Sequence, residues 1–430
     1  MKKTVLIVYS QLYDTSALAL KEIFENDNGF DVVSVFDKQY DNFKLISLYN
    51  GMYKFTYRYM PTFNNIVINL PTAEVTRKKD SEGNDAPYKA NSETFQRWRK
   101  FDNISMRFDA DYVICATPYA VHKAVVAREK YNLKGKIFAL ITDYALQNNF
   151  ISHDVDGYFV ITQKCKKALI DKGIDENIIY VVSMPLKQPL QMKRSKEDVR
   201  KQFNIRNELP IITMVGGRYG SKYLYSALES VSENKDYNFI VIDGGNSSIE
   251  KKFKKLGKKD GMYVSNNVYF VKSGNEMERA YYISDCVISA PTSAITYEVL
   301  MRKIPLLLID SANNVETKNS KFLVAGGYAY SAINKERLTI ALEKYKKDRK
   351  EWKWHCDKQF KGNGAEQVLA CIKAIDKGED PQECLVIKEV VEEELVKDAN
   401  NNQVVPNAVS DPANANANIV KKKRRWFGSK

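Results

Sequence analysis

Histidine is nearly absent from this chain, with His122, His153 and His355 the only three in 430 residues. None stands at metal-ligand spacing from another His or from a Cys, which argues against a zinc or di-metal hydrolase. The six cysteines (Cys115, Cys165, Cys286, Cys356, Cys371, Cys384) form no CxxC pair, and several sit inside apolar runs. They read as reduced, buried thiols rather than a disulfide frame. No apolar run reaches the roughly 18 to 20 residues that cross a bilayer, and Thr4 to Tyr9 is too short for the core of a signal peptide. A cytoplasmic chain is expected. Acidic residues are outnumbered, 53 against 66 basic, giving +13, but six of the basic residues fall within Lys421 to Lys430. A basic terminus suggests an anionic partner, membrane or nucleic acid.

What is present is a repeated alternation. Short apolar, often β-branched runs occur at Val5 to Tyr9, Tyr112 to Ala116, Lys136 to Thr142, Gly157 to Thr162 and Ile178 to Ser183. They recur at Ile211 to Val215, Phe239 to Ile242, Val268 to Val271, Cys286 to Ser289 and Pro305 to Ile309, with charged stretches of helical spacing between many of them. Continuous apolar strands alternating with amphipathic helices indicate parallel sheets covered on both faces, an α/β architecture. Ten strands exceed one ordinary unit, and the break falls in the polar stretch Pro185 to Glu208. The expected organisation is two Rossmann-like domains, 1–188 and 189–378, followed by 379–430. Within the first, 71–100 is polar and reads as a long loop or mobile insertion. In the last, Val386 to Val396 reads as a short acidic helix, and Asp398 to Asn418 has too little apolar content to fold.

Two strand-to-helix turns carry the strongest local chemistry. Val215 leads into Gly216-Gly217-Arg218-Tyr219-Gly220-Ser221, where glycines allow close backbone approach, helix-terminal amides attract phosphate oxygens and Arg218 adds charge; the alternative is an ordinary tight turn. The second turn, Pro291-Thr292-Ser293 after the Cys286 strand, offers N-cap residues. Glu298 follows where a carboxylate either accepts from ribose hydroxyls or merely faces solvent. In the first half, Asp143 ends a strand and His153 follows; His153 is a candidate general base or phosphate donor, or fills a polar pocket, and Asp143 caps a turn or faces the crevice. Asp109-Ala-Asp111 and Asp154-Val-Asp156 match a cation-binding tripeptide, but each second Asp leads into a strand, where a turn residue is expected. Tyr40 to Tyr59, rich in aromatic and basic residues, suits either a lipid headgroup interface or ordinary core helices.

Taken together, these segments resemble the GT-B glycosyltransferases of the monogalactosyldiacylglycerol synthase and processive diacylglycerol glucosyltransferase family, relatives of the lipid II N-acetylglucosaminyltransferase. The similarity runs over roughly residues 1 to 375. TDYALQNNFISHDVDGYFV through Pro185 resembles that family's strand-TDF and H-x-x-x-D-x-Y-F-V stretch, VGGRYGS its GGGxGS loop, and VIDGGN its V-x-x-G-x-N, placing Gly244, Gly245 and Asn246. SDCVISAPTSAITYEVL resembles the A-D-L-V-V-T-K-P-G-G-x-T-x-x-E stretch, placing Pro291 and Glu298, and ETKNSKFLV its E-E-x-N-x-x-F-L-V, placing Glu316 and Asn319. Ser10-Gln11-Leu12-Tyr13-Asp14 stands where the family has a glycine-rich loop ending in His, which makes Asp14 a replacement base or an N-cap.

The resemblance implies two Rossmann-like domains facing across a cleft and an inverting, metal-independent sugar transfer without a cofactor. The UDP-sugar donor would be held by Gly216, Gly217, Arg218, Gly220, Ser221, Gly245, Asn246, Thr292, Ser293, Glu298, Glu316 and Asn319, with His153, Asp143 or Asp14 as base. A lipid acceptor would place the protein at the inner face of the cell membrane, with Lys421 to Arg425, Trp426 and Phe427 as an anchor to anionic lipid. The tail's alternatives are a solvated segment or a weak nucleic-acid contact, and nucleic acid is not the expected partner. Two other readings stay open: a soluble substrate, and a non-catalytic nucleotide-sugar or lipid binder that has lost the His loop.

Overall fold

The computed structural model describes residues 2–40, 43–69, 75–76, 89–90, 109–187, 192–231, 234–259, 267–271, 275–360 and 362–385. The first lobe contains β1 (Lys3–Tyr9), β2 (Phe30–Phe36), a small antiparallel pair β3 (Val75–Thr76) and β4 (Lys89–Ala90), then β5 (Tyr112–Cys115), β6 (Lys136–Ile141), β7 (Gly157–Val160) and β8 (Ile179–Val181). All but the small pair form one parallel sheet in the order β2-β1-β5-β6-β7-β8. The second lobe holds β9 (Ile211–Val215), β10 (Asn238–Ile242), β11 (Val268–Val271), β12 (Cys286–Ser289), β13 (Leu306–Leu308) and β14 (Tyr330–Ser331), parallel in the order β11-β10-β9-β12-β13-β14. Central strands such as β9 and β12 are buried along their whole length, as sheets covered on both faces require.

The helices of the first lobe are α1 (Asp14–Glu25), α2 (Asp37–Tyr40), α3 (Phe43–Tyr59), α4 (Pro61–Asn69), α5 (Pro118–Tyr131) and α6 (Gln163–Ile170). Those after the break are α7 (Lys196–Gln202), α8 (Lys222–Val231), α9 (Ser248–Lys259), α10 (Asn275–Ile283), α11 (Ser293–Met301), α12 (Asn314–Ala325), α13 (Lys335–Gln359) and α14 (Gly364–Lys377). Local chemistry starts several of them: Thr162 Oγ1 accepts from the Cys165 N–H at 3.0 Å, and Asn313 Oδ1 accepts from the Glu316 N–H at 3.0 Å.

The ten expected strands are present, the first sheet ends at Val181 and the second begins at Ile211. β2 and β14 were not expected. Both are edge strands, and β2 is mostly half-buried with Asp31 exposed, so its sequence lacks a continuous apolar run. α14 falls inside the stretch expected to form the second domain, yet its Ala365, Val368, Cys371 and Ile372 join the core formed by β1, β5 and α1. Lys373 pairs with Asp27, and Asp376 accepts from the Tyr112 hydroxyl at 2.8 Å. The chain therefore crosses between the lobes twice.

The cation-binding reading of the two Asp-x-Asp tripeptides does not hold. Asp111 Oδ2 accepts from the Thr4 N–H at 2.8 Å; Asp156 Oδ2 accepts from the Ile137 N–H at 2.6 Å and is paired with Arg128. Both carboxylates staple strand starts. The acidic helix Val386 to Val396, the anchor Lys421 to Arg425 with Trp426 and Phe427, and most of the 71–100 insertion lie outside the described residues.

Candidate active site

In each sheet the strand order reverses beside the first strand, between β1 and β5 and between β9 and β12. Loops leaving the carboxyl ends of such neighbours diverge and open a crevice. A cavity of about 470 Å³ lies where the two crevices meet. Gln11, Tyr13, Tyr57 and Asp143 line it from the first lobe, and Gly217, Arg218, Thr292, Ser293, Glu316 and Asn319 from the second.

The turn after β9 folds as its glycines dictate. Gly217 has φ +73° and Gly220 φ +68°, a region open to glycine at little cost. A methyl group on Gly217 would stand 2.0 Å from the Tyr57 hydroxyl, and one on Gly220 1.9 Å from the Asp243 carbonyl oxygen. Buried Asn246 donates from Nδ2 to the Gly220 carbonyl at 2.8 Å, and the Gly245 N–H donates to Asp243 Oδ1 at 2.7 Å, so the turns after β9 and β10 brace each other. Ser221 is fully buried and caps the start of α8. Thr292 precedes α11 and lines the cavity with its hydroxyl oxygen buried and without a hydrogen-bond partner.

Side chains from α3 and α4 reach across to these turns. Arg58 Nε donates to the Tyr219 carbonyl at 2.6 Å and Nη2 to the Gly244 carbonyl at 3.1 Å. Asn64 accepts from Asn313 Nδ2 at 3.0 Å, and the Tyr57 hydroxyl donates to Glu316 Oε1 at 2.8 Å. Asp14 is bidentate with Arg218, at 2.6 and 2.5 Å. Asp14 is thus committed to an ion pair between the lobes, which leaves its carboxylate no lone base role.

Two buried carboxylates face the cavity. Asp143 sits just past β6, where Gln147 Nε2 donates to one oxygen and Asn319 Nδ2 donates to the other at 3.0 Å. Burial raises its pKa, opposed by the hydrogen bonds from Asn319, Ser293 and Gln147. Glu316, 4% exposed, accepts from Tyr57 and from the Ala312 N–H at 2.7 Å. Burial pushes its pKa from 4.5 up to about 7.

That shift carries a sign. A folded-state pKa above the unfolded one means that the native state holds more protons, so the stability Glu316 contributes is present below pH 4.5 and is lost as pH rises through about 7. At about 1.4 kcal/mol per unit the swing reaches about 3 kcal/mol. Glu316→Gln keeps both contacts, accepting from Ala312 and donating to the Tyr57 oxygen, and removes the titration. Melting temperature measured from about pH 5 to 8 is expected to fall less steeply in this variant; parallel curves would show that Glu316 is not protonated on folding.

His153 is not brought to the site. It is exposed on the turn leading into β7, at the amino ends of the strands, whereas the cavity lies at their carboxyl ends. Glu298 lies one turn beyond Ala294, which does line the cavity, but its carboxylate is 3.3 Å from Arg302, whose Nη2 also donates to both oxygens of Glu278. Burial raises the Glu298 pKa, Arg302 opposes the shift and Glu278 adds to it. Sequence reasoning missed Tyr57, Arg58, Asn64 and Gln147. The available signal was the YKFTYRY stretch, whose polar tips recur at helical spacing.

A family model described as monogalactosyldiacylglycerol (MGDG) synthase matches residues 14–186. Processive diacylglycerol beta-glucosyltransferase of Bacillus licheniformis is 19% identical over 281 residues, 64% of this chain and 71% of the relative. The enzyme of the same name from Staphylococcus haemolyticus is 24% identical over 243 residues, 55% of this chain and 59% of the relative. Over this stretch the chain is similar to that family. Its fold recurs in Acinetobacter baumannii MurG, with TM-score 0.56, 14% identity and 86% and 99% of the two chains covered. It recurs also in S. aureus MnaA, solved with UDP, with TM-score 0.57, 11% identity and 87% and 97% covered. These likenesses establish the two-lobe GT-B architecture. For the Staphylococcus haemolyticus relative, the matched part is less than two thirds of its length.

Proposed function

We propose that this protein transfers a sugar from a UDP-sugar, held by the second lobe, to a hydroxyl of a diacylglycerol-type or lipid-linked acceptor at the inner membrane face. The observation that carries the reading is Asp143, a buried carboxylate facing a cavity whose opposite wall is made of two strand-to-helix turns suited to phosphate. Asp143 takes the proton of the acceptor hydroxyl as that oxygen bonds to the anomeric carbon. The bond from that carbon to the diphosphate breaks on the opposite side, with inversion, and UDP leaves. Amides at the starts of α8 and α11, the Thr292 hydroxyl and Arg218 meet the charge that develops on the leaving group. Glu298 holds the ribose by exchanging its contact with Arg302 for the sugar hydroxyls. Titration calorimetry checks the donor half. UDP should bind in preference to ADP, and Glu298→Ala should weaken UDP by about 1 to 3 kcal/mol, whereas unchanged affinity removes Glu298 from the ribose. UDP release from UDP-glucose or UDP-galactose should require vesicles containing diacylglycerol. Binding without release over any acceptor would leave a nucleotide-sugar-binding protein.

A further inference from the structure

Two consecutive residues just past β6, Asp143 and Tyr144, are held from the second lobe. Of the side chains that hydrogen-bond the Asp143 carboxylate, Gln147 belongs to the first lobe, but Asn319 and Ser293 reach it from α12 and α11. Asn319, 1% exposed, is committed entirely to this junction. Its Nδ2 donates to Asp143 Oδ1 at 3.0 Å and lies 3.4 Å from the Pro291 carbonyl oxygen, while its Oδ1 accepts from the Tyr144 N–H at 3.1 Å. Tyr144 itself is buried in the core of the second lobe. Its ring stacks on Phe322 at 5.2 Å and on Tyr297 at 6.5 Å, and its hydroxyl stands 3.0 Å from Thr296 Oγ1. Asn319 and Phe322 are one turn apart on α12, so one face of that helix receives Asp143 and Tyr144 together.

The chemistry of the donor matters as much as its place. Burial raises the Asp143 pKa, and the hydrogen bond from Asn319 opposes the rise. Around the carboxylate stand Tyr13 before α1, Cys165 on α6, and Glu316 and Lys318 on α12. Lys318, the cation of this group, donates from Nζ to the Leu146 carbonyl at 3.3 Å. The side chains that hydrogen-bond Asp143 are all neutral. A lysine or arginine in place of Asn319 would hold Asp143 ionised and too weak a base, and an apolar residue would leave it protonated; a neutral amide keeps a buried carboxylate both ionisable and basic. We infer that Asn319 is a positioning residue for Asp143, supplied by the second lobe, so that the base carried by the first lobe is complete only where the two lobes meet. That Asp143 acts as a base rests on the proposed function. The role differs from the donor-holding one that the family resemblance implies for Asn319, and measurement separates the two.

The test is carboxyl-carbon NMR of the full-length protein labelled at its aspartate side chains, with the Asp143 signal assigned by its loss in Asp143→Asn. Asn319→Ala should raise the Asp143 titration midpoint by about one pH unit. Asn319→Asp keeps an acceptor for the Tyr144 N–H and replaces only the donor, so it should raise the midpoint at least as far, and it carries the measurement where the alanine variant does not fold. Tyr144→Phe removes a hydrogen bond between the lobes but no donor to Asp143, and should leave the midpoint in place. In turnover with UDP-glucose and vesicles containing diacylglycerol, the acid limb of kcat should move up by the same amount in Asn319→Ala. The rate on that limb falls about tenfold, with KM for UDP-glucose within about twofold of wild type. An unchanged midpoint overturns the proposal, as does an equal rise in Tyr144→Phe, which would make Asn319 only a fastener of the lobes. An unchanged midpoint with a raised KM would assign Asn319 to the donor instead. Wild type that transfers sugar to no acceptor defeats the proposed reaction alone, and the midpoint still decides whether Asn319 sets Asp143.

Discussion

Asp143→Asn is expected to lower kcat for sugar transfer by about 10²- to 10⁴-fold, the usual share of a positioned general base, with UDP affinity within about twofold of wild type. The substitution is nearly isosteric. One side-chain atom can still accept from Asn319, which donates at 3.0 Å, and the new amide requires only that Gln147 turn its own. Since burial already disfavours the charged carboxylate, the neutral variant should melt no lower than wild type. The fall in rate would then report chemistry rather than folding. His153→Ala is the matched control: exposed and at the wrong end of β7, it should leave turnover within about twofold. Full activity in Asp143→Asn, or collapse in His153→Ala, would return the base to the residue that sequence reasoning set beside Asp143.

The second large effect belongs to Gly220. Gly220→Ala should destabilise the protein by about 3 kcal/mol or more in urea unfolding and abolish UDP binding. Two costs combine. An L residue at φ +68° is strained, and its methyl group would stand 1.9 Å from the Asp243 backbone oxygen, which accepts from the Asn246 N–H at 3.0 Å. Gly378→Ala separates these contributions, because Gly378 has nearly the same φ, +73°, but ends α14 with nothing within 4 Å of the added carbon. That variant should cost only about 1 kcal/mol. Equal losses at the two positions would mean that the turn after β9 relaxes around the methyl group, and that its shape is not fixed by the neighbouring turn.

Much of this architecture is legible in the sequence because buried parallel strands advertise themselves. IITMV and CVIS have no polar face to interrupt them, and the glycine turn after β9 sits directly behind one. β2 escapes because Asp31 and Ser34 interrupt its apolar run. Thr292, Ser293, Glu316 and Asn319, expected at the donor, do converge on the cavity, since each follows a strand's carboxyl end or lies near the start of the next helix. Asp14 and His153 show the limit of such reasoning. Their residue types suited the chemistry, but an ion pair and a position at the wrong end of a strand are properties of tertiary placement. Tyr57 and Arg58 are the converse case: in a helix that reads as membrane surface or core, their polar groups reach Glu316 and the turn after β9.

The return of α14 to the first lobe bears on how the protein is made. Ala365, Val368, Cys371 and Ile372 complete a core whose other members, Val5, Ile7, Leu20 and Ile114, are synthesised near the start. A nascent chain that has emerged only as far as the break after β8 lacks this layer, so apolar surface on α1 and β1 waits uncovered while the whole second lobe is translated. The second lobe is contiguous, but its own core is completed by Tyr345 and Phe360, only shortly before α14 emerges. Vectorial synthesis would therefore leave the first lobe's apolar layer open until nearly all of both lobes has been made.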